Sequence, residues 1–140
     1  MIVDAIAAAV VTTGASAKLL STHEQEHAVD GLRNQLGVDV RSHSPWDRFD
    51  APDGVLRRDG WQLIPTFVGI ENCLLITERA SAVWRLDSGK DLIMILQECP
   101  PFEFYVCDIT FTFLICFNHH DYLIAWGGAN LWVSRLSQDQ

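Results

Sequence analysis

The stretch from Phe102 to Trp126 leaves this chain the least freedom. Phe102, Phe104 and Val106 recur at every second position, as do Phe111, Phe113, Ile115 and Phe117, and then Tyr122, Ile124 and Trp126. A period of two is the repeat of a β-strand, whose successive side chains point to opposite faces. All ten residues are therefore expected on one buried face of an antiparallel meander. A two-residue turn at His119-His120 sets the second hairpin. Asn118 then faces Asp121, Phe117 faces Tyr122, Ile115 faces Ile124 and Phe113 faces Trp126. Every apolar residue meets an apolar partner, and a slip of one residue scrambles all the pairs.

The rest of the chain is organised around that sheet. Leu63–Val68, Cys73–Thr77 and Ala82–Leu86 are further short β-type runs. Ser88-x-x-Asp91 caps an amphipathic helix over about 89–99, carrying Leu92, Ile93, Ile95, Leu96 and Cys99, and Pro100-Pro101 stops it. Thr22-x-x-Gln25 reads as a capping box opening a helix over about 22–36, with Val29, Leu32 and Leu36 on one stripe and Gly37 at its exit. Residues 2–20 are Ala-rich, with Ile2, Ile6, Val10 and Val11 at helical spacing, and are read as a first helix. Residues 38–60 contain Pro45, Pro52 and Asp53-Gly54 and read as a long surface loop. Ala129–Leu136 is a short final helix. The expected fold class is α+β, with N-terminal helices packed on a largely antiparallel β-sheet, one inserted helix and a C-terminal short helix. One domain spans residues 1–140, divided into a helical region (1–37), the loop (38–60) and a sheet region (61–140).

Composition narrows the function. The 140 residues are 49% apolar and 20% charged, which is ordinary for a globular domain able to bury a core. The net charge of −8 divides into −3 over residues 1–60 (9 acids, 6 bases) and −5 over 61–140 (9 acids, 4 bases). Acidity spread in this way disfavours nucleic acid and anionic membranes as partners and suits docking onto a basic protein surface. No apolar run reaches the ~20 residues of a membrane span. Ala5–Val11 followed by Ala15-Ser-Ala17 has the outline of a signal peptide. The opening Met-Ile-Val-Asp lacks the basic n-region, so a helix packed on a cytoplasmic domain is expected instead. Cys73, Cys99, Cys107 and Cys116 form no C-x-x-C pair and read as reduced, mostly buried thiols. Ser88-Gly89-Lys90 after a strand lacks the upstream glycine of a phosphate loop, no Gly-x-Ser-x-Gly elbow is present, and no cofactor is expected.

Two motifs carry chemistry. His23-Glu24-Gln25-Glu26-His27 matches H-E-x-x-H, in which two histidines one helical turn apart bind zinc and the glutamate activates water. Here the capping box puts His23 in the first helical turn, and Glu26 places a charge between the ligands. The extended pattern would need glycine at position 30 and histidine at 33, where Asp30 and Arg33 stand. Glu24 and Glu26 also favour a helix N-terminus on electrostatic grounds alone. The second motif is Asn118-His119-His120-Asp121. Its residue types suit a tight turn, and a zinc site drawing on Cys99, His119 and Asp121 is the chemical alternative, because the helix exit and this turn fall at one end of the sheet.

Glu98-Cys-Pro-Pro-Phe-Glu-Phe-Tyr-Val106, Phe113-Leu-Ile-Cys-Phe-Asn-His-His-Asp-Tyr-Leu-Ile124 and Gly127 resemble a family of small bacterial proteins of unknown function. The resemblance covers roughly the last 45 residues. In class such proteins are similar to the immunity proteins that neutralise bacterial toxins. The resemblance therefore implies a non-enzymatic protein-binding module that inhibits a toxin by direct contact, with a basic toxin domain as partner. Trp46, Asp47, Asp50, Asp53, His119, His120 and Asp121 form the expected contact set, and the alternative is a zinc-dependent hydrolase using His23 and His27 with Glu24 as base.

Overall fold

The computed structural model describes residues 1–137 and shows an α+β fold. Seven strands form one antiparallel sheet in the order β1-β4-β3-β5-β6-β7-β2. They are β1 (Ala17–Leu19), β2 (Val55–Leu56), β3 (Cys73–Thr77), β4 (Val83–Leu86), β5 (Phe104–Asp108), β6 (Phe113–Phe117) and β7 (Tyr122–Gly127). The helices are α1 (Ile2–Thr13), α2 (Thr22–Leu36), α3 (Gly60–Val68), α4 (Gly89–Glu98) and α5 (Asn130–Leu136).

The sheet is covered on both faces. On one face Leu75, Val106, Ile115, Phe117, Leu123 and Ala125 pack with Ile6 of α1, Ile64 of α3, Leu92 and Ile95 of α4, and Val133 of α5. On the other, Leu74, Ile76, Tyr105, Cys107, Leu114, Cys116 and Ile124 pack with Ala28, Val29 and Leu32 of α2 and with Val38 and Val40. All five residues of β3 are consequently buried. Two covered faces require apolar residues in succession, which is unusual for an antiparallel sheet.

This double burial corrects the expected single face and the expected register. Phe104, Val106, Ile115 and Phe117 do share a face, but Phe111 and Ile124 belong to the opposite core and Trp126 packs against it. The left-handed backbone of Phe111 redirects that ring, and the β6–β7 turn accounts for the rest. Asp121 adopts φ 65°, so the loop takes three residues, 119–121, rather than two. Asn118 closes it, its N–H donating to the Tyr122 carbonyl at 3.1 Å and its Oδ1 accepting from the N–H groups of His120 and Tyr122. A three-residue hairpin ending in a left-handed residue is a standard closure. The extra residue pairs Phe117 with Leu123, Ile115 with Ala125 and Phe113 with Gly127, and it pairs Cys116 with Ile124 and Leu114 with Trp126.

Other boundaries also move. Gly14, at φ 72°, ends α1, and residues 17–19 become the edge strand β1 instead of more helix. The capping box lies one residue earlier than expected: Ser21 Oγ accepts from the Glu24 N–H and Glu24 Oε1 from the Ser21 N–H. Leu63–Val68 is helix, not strand. Its apolar residues also fit helical spacing, and only Ile64, Pro65 and Val68 of that run are buried, as one helical face requires. The segment 38–60 is no plain surface loop, since Val38, Val40 and Pro45 are buried and Val55–Leu56 pairs with β7. Ser88 caps α4 as expected, its Oγ accepting from the Asp91 N–H. Gly89 is explained by packing. A Cβ there would lie 2.0 Å from the Pro65 carbonyl oxygen, so α4 meets α3 only through a glycine.

The expected burial of most of the cysteines holds. All four cysteines are unpaired, and burial pushes Cys73 up to about 12 and Cys107 and Cys116 well above the usual thiol range. Edge strands β1 and β2 have only three and two residues, which leaves little unpaired backbone to recruit another sheet.

Gly31 sits inside α2 for a specific reason. Phe111 folds inward from the β5–β6 turn at φ 59°, and its ring carbons lie 2.4 Å from where a Gly31 Cβ would be. The turn is held by the Asp108 carboxylate, which accepts from the N–H groups of Thr112 at 2.7 Å and Phe113 at 3.2 Å and from both threonine hydroxyls. Left-handed backbone at a phenylalanine costs about 1–3 kcal/mol, and burying the ring returns about 1.5–3 kcal/mol. Gly31→Ala will therefore destabilise the protein by about 1–2 kcal/mol in urea unfolding, because overpacking outweighs the gain of ~1 kcal/mol in helix propensity. In a Phe111→Ala background the same substitution will stabilise, and the two unfolding midpoints check the reversal.

Candidate functional site

The β6–β7 tip is built from its turn outward. Holding Asn118 inside the turn leaves His119 and His120 at the surface, their rings 3.9 Å apart. Glu103, just before β5, reaches beneath them. Its carboxylate is buried and accepts from the His119 backbone N–H at 3.1 Å and from His119 Nδ1 at 2.7 Å. A buried carboxylate without such donors would cost several kcal/mol, so the pair fixes both the turn and the ring.

The 38–60 segment then packs beside the tip. A short 3-10 turn at Pro45–Asp47 buries Pro45 and sets Trp46 half-buried, its ring 6.0 Å from that of His119 in an edge-on arrangement. Trp46, Asp47, Pro52 and Gly54 from the segment meet Asn118, His120 and Tyr122 from the hairpin around an open hollow of about 230 Å³. The fold thus brings Trp46, Asp47, His119 and His120 together. Asp53 is exposed between two residues of the same rim. Asp50 lies apart, 3.6 Å from the Arg48 guanidinium, on a different hollow with Leu36 and Trp126. Asp121 acts chiefly through its backbone, its N–H donating to the Asn118 carbonyl and its carbonyl accepting from the Arg57 N–H.

Glu103 was not among the residues expected from sequence. Its signal was a glutamate between Phe102 and Phe104 in a run otherwise apolar, which becomes informative only when both sheet faces are known to be covered. The zinc grouping of Cys99, His119 and Asp121 does not form. Cys99 lines a separate hollow of about 170 Å³ with Trp61, Phe102, Phe104 and Phe117, and burial pushes its thiol up. Among the described residues no three His, Cys, Asp or Glu side chains converge around a point where a metal ion fits.

His23 and His27 are exposed on α2, and both line an open hollow between the helix and the sheet, beside the buried Ala28. Glu24 is engaged in the capping box, whose hydrogen bonds to Ser21 hold its carboxyl below the ordinary 4.5. Glu26 is engaged with Arg41, a pairing that lowers its carboxyl and ties the 38–44 segment to α2. Both glutamates of the motif thus have structural partners. Among the described residues no helix is long and apolar enough to cross a membrane.

No family model, no curated protein and no solved structure matches the chain, so the residues themselves carry the functional reading.

Two outcomes follow for these carboxylates. Glu103→Ala will strand the His119 N–H and lower stability by about 1–3 kcal/mol, with Glu103→Gln losing less, as measured by chemical unfolding. The Glu24 carboxyl is lowered in the folded state, so its stabilisation is fully present above the ordinary value of 4.5 and is lost as pH falls through the folded value. Glu24→Gln keeps the capping geometry without the charge. Its melting temperature will fall short of wild type at about pH 6 and converge with it as pH falls through the folded value, apart from the acid loss common to both.

Proposed function

We propose that this chain is a non-enzymatic binding module that neutralises a bacterial toxin by direct contact, in the manner of immunity proteins. The observation that carries the proposal is the seating of Trp46 against His119 at the rim of the hollow shared with Asp47, His120 and Tyr122. An anchored aromatic beside a concave surface is the arrangement that concentrates binding energy in protein interfaces. The surrounding charge supports a basic partner: Asp47, Asp50 and Asp53 are exposed, and the whole chain carries −8. Phe49, fully exposed in the same segment, adds apolar area of the kind that contacts bury.

The roles divide physically. Rim aspartates attract a cationic surface from a distance and chiefly set the association rate, which salt screens. Trp46 sets the lifetime of the complex, and its position is prepared before contact by the buried Pro45 next to it in the chain and by His119 beside it. Glu103 has a positioning role because it holds His119.

The test pairs the purified protein with the product of a toxin reading frame adjacent to its own. Binding measured by surface plasmon resonance will show an association rate that falls as salt rises. Trp46→Ala will speed dissociation about thirtyfold, equivalent to about 2 kcal/mol. Asp47→Asn combined with Asp53→Asn will slow association while leaving dissociation nearly unchanged. Binding indifferent both to salt and to Trp46→Ala would remove the proposal.

A further inference from the structure

The opposite ends of the strands hold a second concave surface, independent of the hairpin tip. The first turns of α2 stand over β3 and β4, and between them lies an open groove of about 300 Å³. Leu74, Phe111 and Ile109 supply an apolar lining, and His23, His27 and Arg85 supply the nitrogen-bearing wall. The volume is at the lower end of the range for small-molecule sites.

Charge distinguishes this groove from the rest of the molecule. Arg85 of β4 stands directly across from Lys18 of β1 on one side and Leu74 of β3 on the other. Like charges placed opposite each other in a sheet repel, at a cost that a nearby anion removes. Among the described residues Glu24 is the single carboxylate lining the groove, and it is already shared. Its Oε1 accepts the Ser21 N–H at 3.0 Å, and its Oε2 lies 3.9 Å from Lys18 Nζ. The N-terminus of α2 adds partial positive charge at the same place. A chain of net charge −8 thus keeps one arginine, two imidazoles and one carboxylate shared between Lys18 and Arg85 around an apolar floor, with Lys18 beside Arg85 on the edge strand.

The floor is held in place rather than adaptable. Phe111 is fixed by its left-handed backbone, by the missing Cβ of Gly31 and by an edge-on contact with His27 at 5.8 Å. A body lying on Phe111 and Leu74 directs its polar end towards Arg85.

We propose that this groove binds a small organic carboxylate with an aliphatic or aromatic body, its apolar portion on Leu74, Phe111 and Ile109 and its carboxylate at Arg85 and Lys18. The histidines of the H-E-x-x-H motif then serve as groove wall and not as metal ligands.

Octanoate is a suitable probe, with octanamide as its uncharged counterpart, followed by amide chemical shifts on the full ¹⁵N-labelled chain. Octanoate will shift Leu20, Leu74, Arg85 and Phe111 saturably, and octanamide will bind at least about fivefold more weakly. Arg85→Gln will reduce octanoate affinity about tenfold, the factor expected for loss of a charge-assisted contact. Because Arg85 lies mid-strand, Lys18→Gln at the exposed edge is the second variant, and it will weaken octanoate without weakening octanamide. The proposal is overturned if both probes bind equally, if neither substitution changes octanoate affinity, if the shifts gather instead at the Trp61–Phe117 hollow, or if no saturable shift appears in the millimolar range.

Discussion

Burial of the sheet on both faces is the constraint from which the rest of the structure follows. β3, β5 and β6 have neighbours on either side and helices or the 38–40 segment above and below, so most of their side chains are buried and only a few, such as Leu74, border an open hollow. Chemistry-bearing residues are left with the strand ends and the connections between them. The Trp46–His119 surface lies at one end of the central strands and the Arg85 groove at the other. The interior also explains the cysteines, three of which sit in central strands where a small apolar side chain fits and burial keeps the thiol protonated.

Much of this fold was legible in the sequence, and the errors share one cause. The two best-marked helices carried their own end signals, a capping serine with Asp91 in one case and Gly37 in the other, and their positions agree with the structure to within a residue. The central strands were visible through their aromatic and β-branched residues. Facing and register were not, because period-two logic assumes one wet face. Leu123 and Ala125 looked like outward positions only under that assumption, yet both are buried. Asp121 in left-handed backbone adds the residue that turns the hairpin by one position, and aspartate at a turn does not by itself announce which turn is meant. Leu63–Val68 is a short apolar run that fits both periods, and the structure makes it part of a nine-residue helix that accommodates Pro65.

The candidate sites were legible as residue types and not as groupings. Trp46, Asp47, His119 and His120 were expected at the surface together, and they converge, while Asp50 turns to another hollow and Asp121 is used for its backbone. Glu103 and Arg85 were missed because each depends on a cross-strand or through-turn partner far away in the chain. The H-E-x-x-H spelling shows how a motif dissolves when each letter acquires its own explanation. Glu24 closes the helix cap, Glu26 holds Arg41, and the two histidines line a groove whose other wall is a strand arginine.

The strand order carries a consequence for how the protein is made. β1 and β2 come from the first sixty residues but pair with β4 and β7, and α1 and α2 bury their apolar faces against strands that begin at Cys73 and end at Gly127. During synthesis, residues 1–60 therefore emerge before the strands against which they pack. Folding must wait until β7 has been made, and loop closure over such separations is slow. Until those strands are in place Ile6, Val29 and Leu32 have no partner to bury against, and exposed apolar surface of this kind is what makes partly folded chains prone to aggregate, even though the folded protein exposes little edge of its own.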